Sequence, residues 1–119
     1  MSILRLVGAA IVVAACASTR IPPSGDPLVA ISTAERAIEE AQAAGADTLA
    51  SSTLAEARTA LASAKAATVT DRNRAALLAR KAAADAAYAN ALSQRLIADR
   101  ARAAAQAEMQ RVPPSGGER

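Results

Sequence analysis

The sequence predicts an all-α protein, either an antiparallel helical hairpin or a three-helix bundle, with a long C-terminal helix. Alanine, the best helix former, supplies 32 of residues 16–119. Gly45 is the only glycine or proline between Leu28 and Val112, so almost nothing in this region interrupts a helix. Apolar residues also recur at spacings of three and four, which is the period of an amphipathic helix.

The N-terminal segment has the three-part plan of a secretory signal. Residues 1–5 carry one positive charge, residues 6–15 are almost purely apolar, and small residues lead to Cys16, the only cysteine. An uncleaved membrane anchor is one alternative, but the apolar run at 6–17 has 12 residues where a spanning helix needs about 20. A buried structural cysteine is the other alternative, but nothing nearby would form a core around Cys16.

The junction Val13-Ala14-Ala15-Cys16 resembles the bacterial lipobox, whose pattern is aliphatic, small, small, Cys. The resemblance implies that the first fifteen residues are removed as a signal peptide. Cys16 then becomes an N-terminus that carries diacylglycerol and an N-acyl lipid, and no other cofactor is expected. Ala17 follows the cysteine where, by analogy with enteric bacteria, an aspartate would retain the protein in the inner membrane. The expected location is therefore the outer membrane, lipid-anchored and facing the periplasm.

The rest of the chain divides into a linker, one domain and a tail. Residues 16–26 comprise the lipidated cysteine and a linker that Pro22 and Pro23 hold extended. The alanine-rich helical domain is predicted over residues 27–111, and residues 112–119 are a flexible polar tail.

The first predicted helix has Asp26 as an acidic N-cap and Pro27 at its first position. Gly45 ends it, because glycine readily takes the left-handed conformation just past a helix end. Its apolar stripe consists of residues spaced three and four apart: Leu28, Ile31, Ala34, Ile38 and Ala41.

The second helix follows a connector at residues 46–51, with Ser51 or Ser52 as its expected N-cap. Asp71 is expected to cap the third helix, which continues for about 40 residues and is thus about 60 Å long. Tyr88, the single aromatic residue, is expected to fill a gap in the seam of this helix. That seam repeats every seven residues: Leu78, Ala82, Asp85, Ala89, Leu92, Leu96, Asp99 and Ala103.

Composition and charge argue against several functions. Residues 26–71 carry seven acids and three bases, whereas residues 72–111 carry eight bases and three acids. Apart from the single Tyr88, no aromatic residues interleave with these bases, so nucleic acid is not an expected partner. The chain has no histidine and one cysteine, so histidine-based acid–base catalysis and Cys/His zinc sites are not available. An enzyme, a small-molecule substrate and a metal site are therefore not expected.

A partner-binding site is expected in the C-terminal part of the third helix, which is more than twice as long as the second. Large apolar residues are expected to remain partly uncovered there, and contiguous exposed apolar surface usually marks an interaction site. Neighbouring arginines favour an acidic partner. The alternative is that the first helix covers this patch and makes it core. The patch comprises Leu92, Leu96, Ile97, Arg95, Arg100 and Arg102.

Four alanine-rich motifs, with the lipobox and the proline-containing spacer, resemble the bacterial lipoproteins of domain-of-unknown-function family 4398. The resemblance covers roughly residues 14–108 and implies a periplasmic helical domain without established catalytic residues. Residues 50–54 depart from the family, in which a proline often starts the second helix. The motifs are Ala-Glu-Arg-Ala-Ile at 34–38, Ala-Gly-Ala at 44–46, Leu-Ala-Glu-Ala-Arg at 54–58 and Ala-Arg-Lys-Ala-Ala-Ala-Asp-Ala at 79–86.

The sequence thus predicts a membrane-anchored periplasmic lipoprotein with a helical protein-interaction or envelope-structural role. Its expected partners are the membrane, through the lipid, and either an envelope protein or a second copy of the chain. The alternative is an oligomeric coiled-coil spacer that resembles murein lipoprotein. Because the sequence ends Gly-Gly-Glu-Arg rather than in lysine, covalent attachment to peptidoglycan by that route is not expected.

Overall fold

The computed structural model describes residues 25–111 and 113, and in these residues the protein is all-α, as predicted. It contains no strand within that part of the chain. The predicted signal peptide, the lipobox, Cys16, residues 17–24 of the linker and the tail apart from Pro113 lie outside the described residues. The helices are α1 (Pro27–Ala43), α2 (Ala46–Leu49), α3 (Ser51–Ala67) and α4 (Arg72–Arg111).

The three long helices form an up–down–up bundle, so the three-helix architecture is the one adopted. Three layers of buried side chains show in which direction each helix runs. From the lower layer to the upper one, residue numbers rise along α1 and α4 and fall along α3, so α3 is antiparallel to the other two. The layers, from the lower end upward, are Ile31, Ala64 and Ala79; Ala34, Ala60 and Ala82; and Ile38, Ala41, Ala46, Ala50, Leu54, Ala57, Ala86 and Ala89.

Three of the predicted helix ends are confirmed. At the start of α1, the Asp26 carboxylate accepts a hydrogen bond from the backbone N–H of Leu28 at 3.0 Å. Gly45 follows α1 with a φ of 85°, a left-handed conformation that costs glycine little because it has no Cβ. At the start of α4, the Asp71 carboxylate accepts from the backbone N–H of Arg74 at 2.9 Å. Local side-chain chemistry therefore sets these ends.

The predicted connector at residues 46–51 and its serine cap are wrong. The short helix α2 occupies most of this stretch, and Ala50 is the N-cap of α3 without a side-chain hydrogen bond. The N–H of Ala50 donates to the Ala46 carbonyl and the N–H of Leu54 donates to the Ala50 carbonyl, each at 3.0 Å, so α2 runs almost directly into α3. Both alanines are buried in the upper layer. The burial of their methyl groups therefore decides the path of the connection.

The buried face of α4 differs from the predicted seam. Tyr88 is 62% exposed and fills no gap, and Leu78 and Leu92 lie half-buried at the edges of this face. The reason is that α4 packs against α1 and α3 together, and the small methyl group of alanine lets three backbones approach closely along one face. The buried residues of α4 are Ala75, Ala76, Ala79, Ala82, Ala86, Ala89 and Ser93.

Replacing Ala82 by leucine is expected to lower the free energy of unfolding by about 1–3 kcal/mol, because extra carbons must be forced into a well-packed layer. Ala82 is fully buried against Ala34 and Ala60. Ala84→Leu is the matched control, since Ala84 lies two residues further along α4 and is exposed. Thermal unfolding followed by circular dichroism measures both, and equal melting temperatures would contradict the described packing.

Candidate functional site

The helix α4 extends well beyond the helices that pack against it. Ser93 is its last buried residue, and the Ser93 hydroxyl donates to the carbonyl of Ala89 at 2.8 Å. In the following 18 residues, 94–111, every residue is exposed except Leu96, which is half-buried. We call residues 94–111 the projecting segment, which is about 27 Å long at 1.5 Å per residue.

The projecting segment is helical for local reasons rather than through packing. Starting a helix is the unfavourable step, and the bundled part of α4 supplies that start. Alanine then favours continuation of the helix, and residues 94–111 contain neither glycine nor proline. The segment therefore presents a formed helical surface without support from the rest of the described chain.

One face of the projecting segment continues the buried face of α4. Leu96 and Arg100 follow the buried residues Ala89 and Ser93 by seven positions, and seven residues return a helix to nearly the same direction. Ala104 and Ala107 lie on the same side. The predicted patch did not include them, although the spacing of the alanines earlier in α4 could have indicated this face. We call this the inner face, which comprises Leu96, Ile97, Arg100, Ala104 and Ala107.

The structure separates the three apolar residues of the predicted patch. Leu92 is half-buried and packs against the upper layer of the core, so it belongs to the end of the bundle. Leu96 is half-buried one turn later, and Ile97 is 51% exposed. The first helix does not extend over them, because α1 ends at Ala43 beside the upper layer. Leu96 and Ile97 are therefore the large apolar residues of the inner face.

The three arginines of the predicted patch lie on two different faces. Arg95 and Arg102 are seven residues apart and share the outer face, where Asp99 lies 3.8 Å from the Arg95 guanidinium and 3.7 Å from that of Arg102. These pairs are exposed and contribute little to stability. Arg100 lies on the inner face, and no carboxylate of the described residues is within ion-pair distance of it. Arg100 is thus the basic residue that adjoins Leu96 and Ile97.

Several titratable groups of the bundle are engaged in ion pairs. Glu35 lies 2.6 Å from the Lys65 ammonium. A hydrogen bond to Asp85 raises the pKa of Lys81, so this lysine keeps its proton more firmly than usual and is a poor general base at neutral pH. In the described part of the chain, no group of three or more Asp, Glu, His or Cys residues could hold a metal ion.

Comparisons of this chain with protein-family models, curated proteins and solved structures find no match. The resemblance to family 4398 therefore stays a prediction. Among the helices of residues 25–111, none is both long enough and apolar enough to cross a membrane.

Proposed function

We propose that this protein is a lipid-anchored periplasmic lipoprotein that binds another envelope protein through the inner face of its projecting segment. The observation that carries the proposal is the uncovered helix at residues 94–111, which follows a closely packed bundle. The lipobox-like junction at Cys16 supports the anchor, and the resemblance to family 4398 supports the periplasmic location. Ala17 after the cysteine favours the outer membrane.

The projecting segment suits a binding role because it is ordered before binding. A preformed helix avoids much of the entropy cost that a disordered segment pays on association. Leu96 and Ile97 supply apolar area, and the alanines at 104 and 107 let a partner helix approach closely. The segment carries four bases and two acids, so charge complementarity favours an acidic partner.

The two ends of the molecule suit different tasks. Gly25, where the linker enters the bundle, precedes the first turn of α1 at the lower end, whereas the projecting segment leaves from the upper end. Residues 17–25 span at most about 32 Å when extended. A lipid at Cys16 would therefore hold the lower end near the membrane and direct the projecting segment away from it.

The alternative function is an oligomeric coiled-coil spacer. The seven-residue recurrence along the inner face of α4 favours this alternative, because helices pair through heptad repeats. Arg100 in that face disfavours it, since parallel copies would bring like charges together. Sedimentation equilibrium of the detergent-solubilised protein separates the two functions: a monomer supports binding to a different envelope protein, and a trimer supports the spacer.

Replacing Leu96 by glutamate is expected to abolish partner binding, because it places a charge in the apolar part of the inner face. A photo-reactive side chain at position 104 measures binding as a crosslinked adduct in intact cells. The melting temperature should change little, since the half-buried Leu96 lies beyond the last buried residue of α4. A large fall in melting temperature would show that Leu96 is core, and an unchanged adduct would exclude the inner face as the binding site.

Two comparisons control for the added negative charge. Leu77→Glu should leave the adduct intact, because Leu77 is 55% exposed on the outer side of the bundled part of α4. Arg100→Glu should weaken the adduct much more than Arg102→Glu, since Arg100 lies on the inner face whereas Arg102 is 78% exposed beside Asp99. Equal effects of the two reversals would mean that only net charge matters.

A further inference from the structure

The lower end of the bundle exposes apolar side chains that the core does not use. Val69, in the turn between α3 and α4, is 92% exposed. Leu28 and Val29, in the first turn of α1, are 59% and 64% exposed. Because α1 and α4 are parallel, the first turn of α1 and the turn before α4 lie at the same end of the molecule.

These two stretches of chain form one continuous surface. Gly25 and Asp26, which lead into α1, line a single depression with Thr70 and Asp71 of the turn. The Arg72 guanidinium lies 3.7 Å from the Asp26 carboxylate and so connects the start of α4 to the start of α1. We call the surface formed by residues 25–29 and 69–72, together with the arginines beside them, the base of the bundle.

The base also carries basic groups whose charge faces solvent. The Arg80 guanidinium reaches down beside Gly25, at 3.9 Å from the position that a Cβ there would occupy. Neither Arg74 nor Arg80 has a carboxylate of the described residues within ion-pair distance. The two acids of the base, Asp26 and Asp71, instead accept hydrogen bonds from backbone N–H groups at the starts of α1 and α4.

The opposite end of α1 has the opposite charge. Glu39 and Glu40, near its C-terminal end, are both exposed. Neither lies within ion-pair distance of an arginine or lysine among residues 25–111. Along its axis the bundle is therefore basic and apolar at the base and acidic at the level of the upper layer. An anionic surface would attract the base and repel the other end of α1.

We propose that the base of the bundle rests on an anionic phospholipid surface, with Val69 inserted among the lipid headgroups. The inference depends on the proposed lipid anchor, because the nine residues 17–25, which lead from Cys16 to Asp26, keep the base within about 32 Å of the bilayer. Exposed apolar side chains beside arginines are the combination that interfacial binding uses, since burial of apolar area and attraction to anionic lipid add together. The contact orients the bundle so that the projecting segment points into the periplasm.

A single tryptophan introduced into this tryptophan-free chain tests the contact. The variants are Val69→Trp at the base and Met109→Trp, which is 68% exposed in the last turn of α4. The full-length protein, processed and lipidated in the cell, is reconstituted into vesicles of phosphatidylethanolamine and phosphatidylglycerol with brominated acyl chains. The tryptophan at 69 should lose about half of its emission or more, because interfacial side chains lie about 5–10 Å deep in the headgroup region. The tryptophan at 109 should keep its emission.

The outcomes distinguish this inference from the function it depends on. If the protein floats with the vesicles but the tryptophans at 69 and 109 show equal emission, the proposed anchor is supported and the proposed contact of the base with the lipid is contradicted. Protein that does not float with them overturns the anchor, and the inference falls with it. Arg74→Glu should reduce the quenching at position 69 by about twofold or more, whereas Arg36→Glu, further up α1 and also exposed, should not. Equal effects of the two reversals would also overturn the contact.

Discussion

Replacement of Leu54 by alanine is expected to lower the free energy of unfolding by about 3 kcal/mol. Leu54 is fully buried, whereas nearly all its neighbours in the upper layer are alanines. Truncation removes its contacts and leaves a cavity that the short alanine side chains around it cannot fill. For a domain of this size, the melting temperature should fall by roughly 10–20 °C.

Leu77→Ala is the matched control for this truncation. The chemical change is the same, but Leu77 is 55% exposed, so the loss should be within about 0.5 kcal/mol. Urea unfolding followed by circular dichroism gives both free energies. Losses of equal size in the two variants would mean that Leu54 does not lie in the core of the folded protein.

Replacement of Cys16 by serine is expected to abolish both the lipidation of the protein and the removal of residues 1–15. The thiol of Cys16 is the proposed site of diacylglycerol addition, and a hydroxyl does not replace it in that reaction. One acyl chain binds a membrane only marginally, but the several chains expected on Cys16 anchor a protein stably. The unmodified variant should keep residues 1–15, and the mass of the detergent-extracted protein measures both changes.

Thr19→Ser is the control, because it makes a similarly small change outside the Val13-Ala14-Ala15-Cys16 junction. It should be processed, lipidated and recovered from the membrane fraction like the natural protein. A Cys16→Ser protein that is still cleaved after Ala15 and still remains with the membrane would contradict the lipoprotein proposal.

The helix ends show where sequence reasoning succeeds and where it fails. Asp26, Gly45 and Asp71 were predictable because each acts through its own side chain or backbone freedom on residues beside it. The start of α3 was not predictable in the same way. Ala50 takes the cap position with its methyl group buried in the upper layer, a contact between helices that no local pattern reveals.

The candidate site shows the same division. The uncovered end of α4 follows from helix lengths, which the positions of glycine, proline and capping residues predict. Which of its residues lie together depends on the rotation of α4 within the bundle. That rotation places Arg100 beside Leu96 and turns Arg95 and Arg102 to the outer face with Asp99.

The amino-acid sequence by itself determined the helical class, the length of α4 and most helix ends, because alanine propensity and capping act within a few residues. Only the tertiary structure decided the up–down–up arrangement, the buried face of α4 and the exposure of Tyr88. The physical reason is that alanine appears on every side of these helices, so apolar periodicity alone marks no single face. The close approach of three backbones selects the face that is buried.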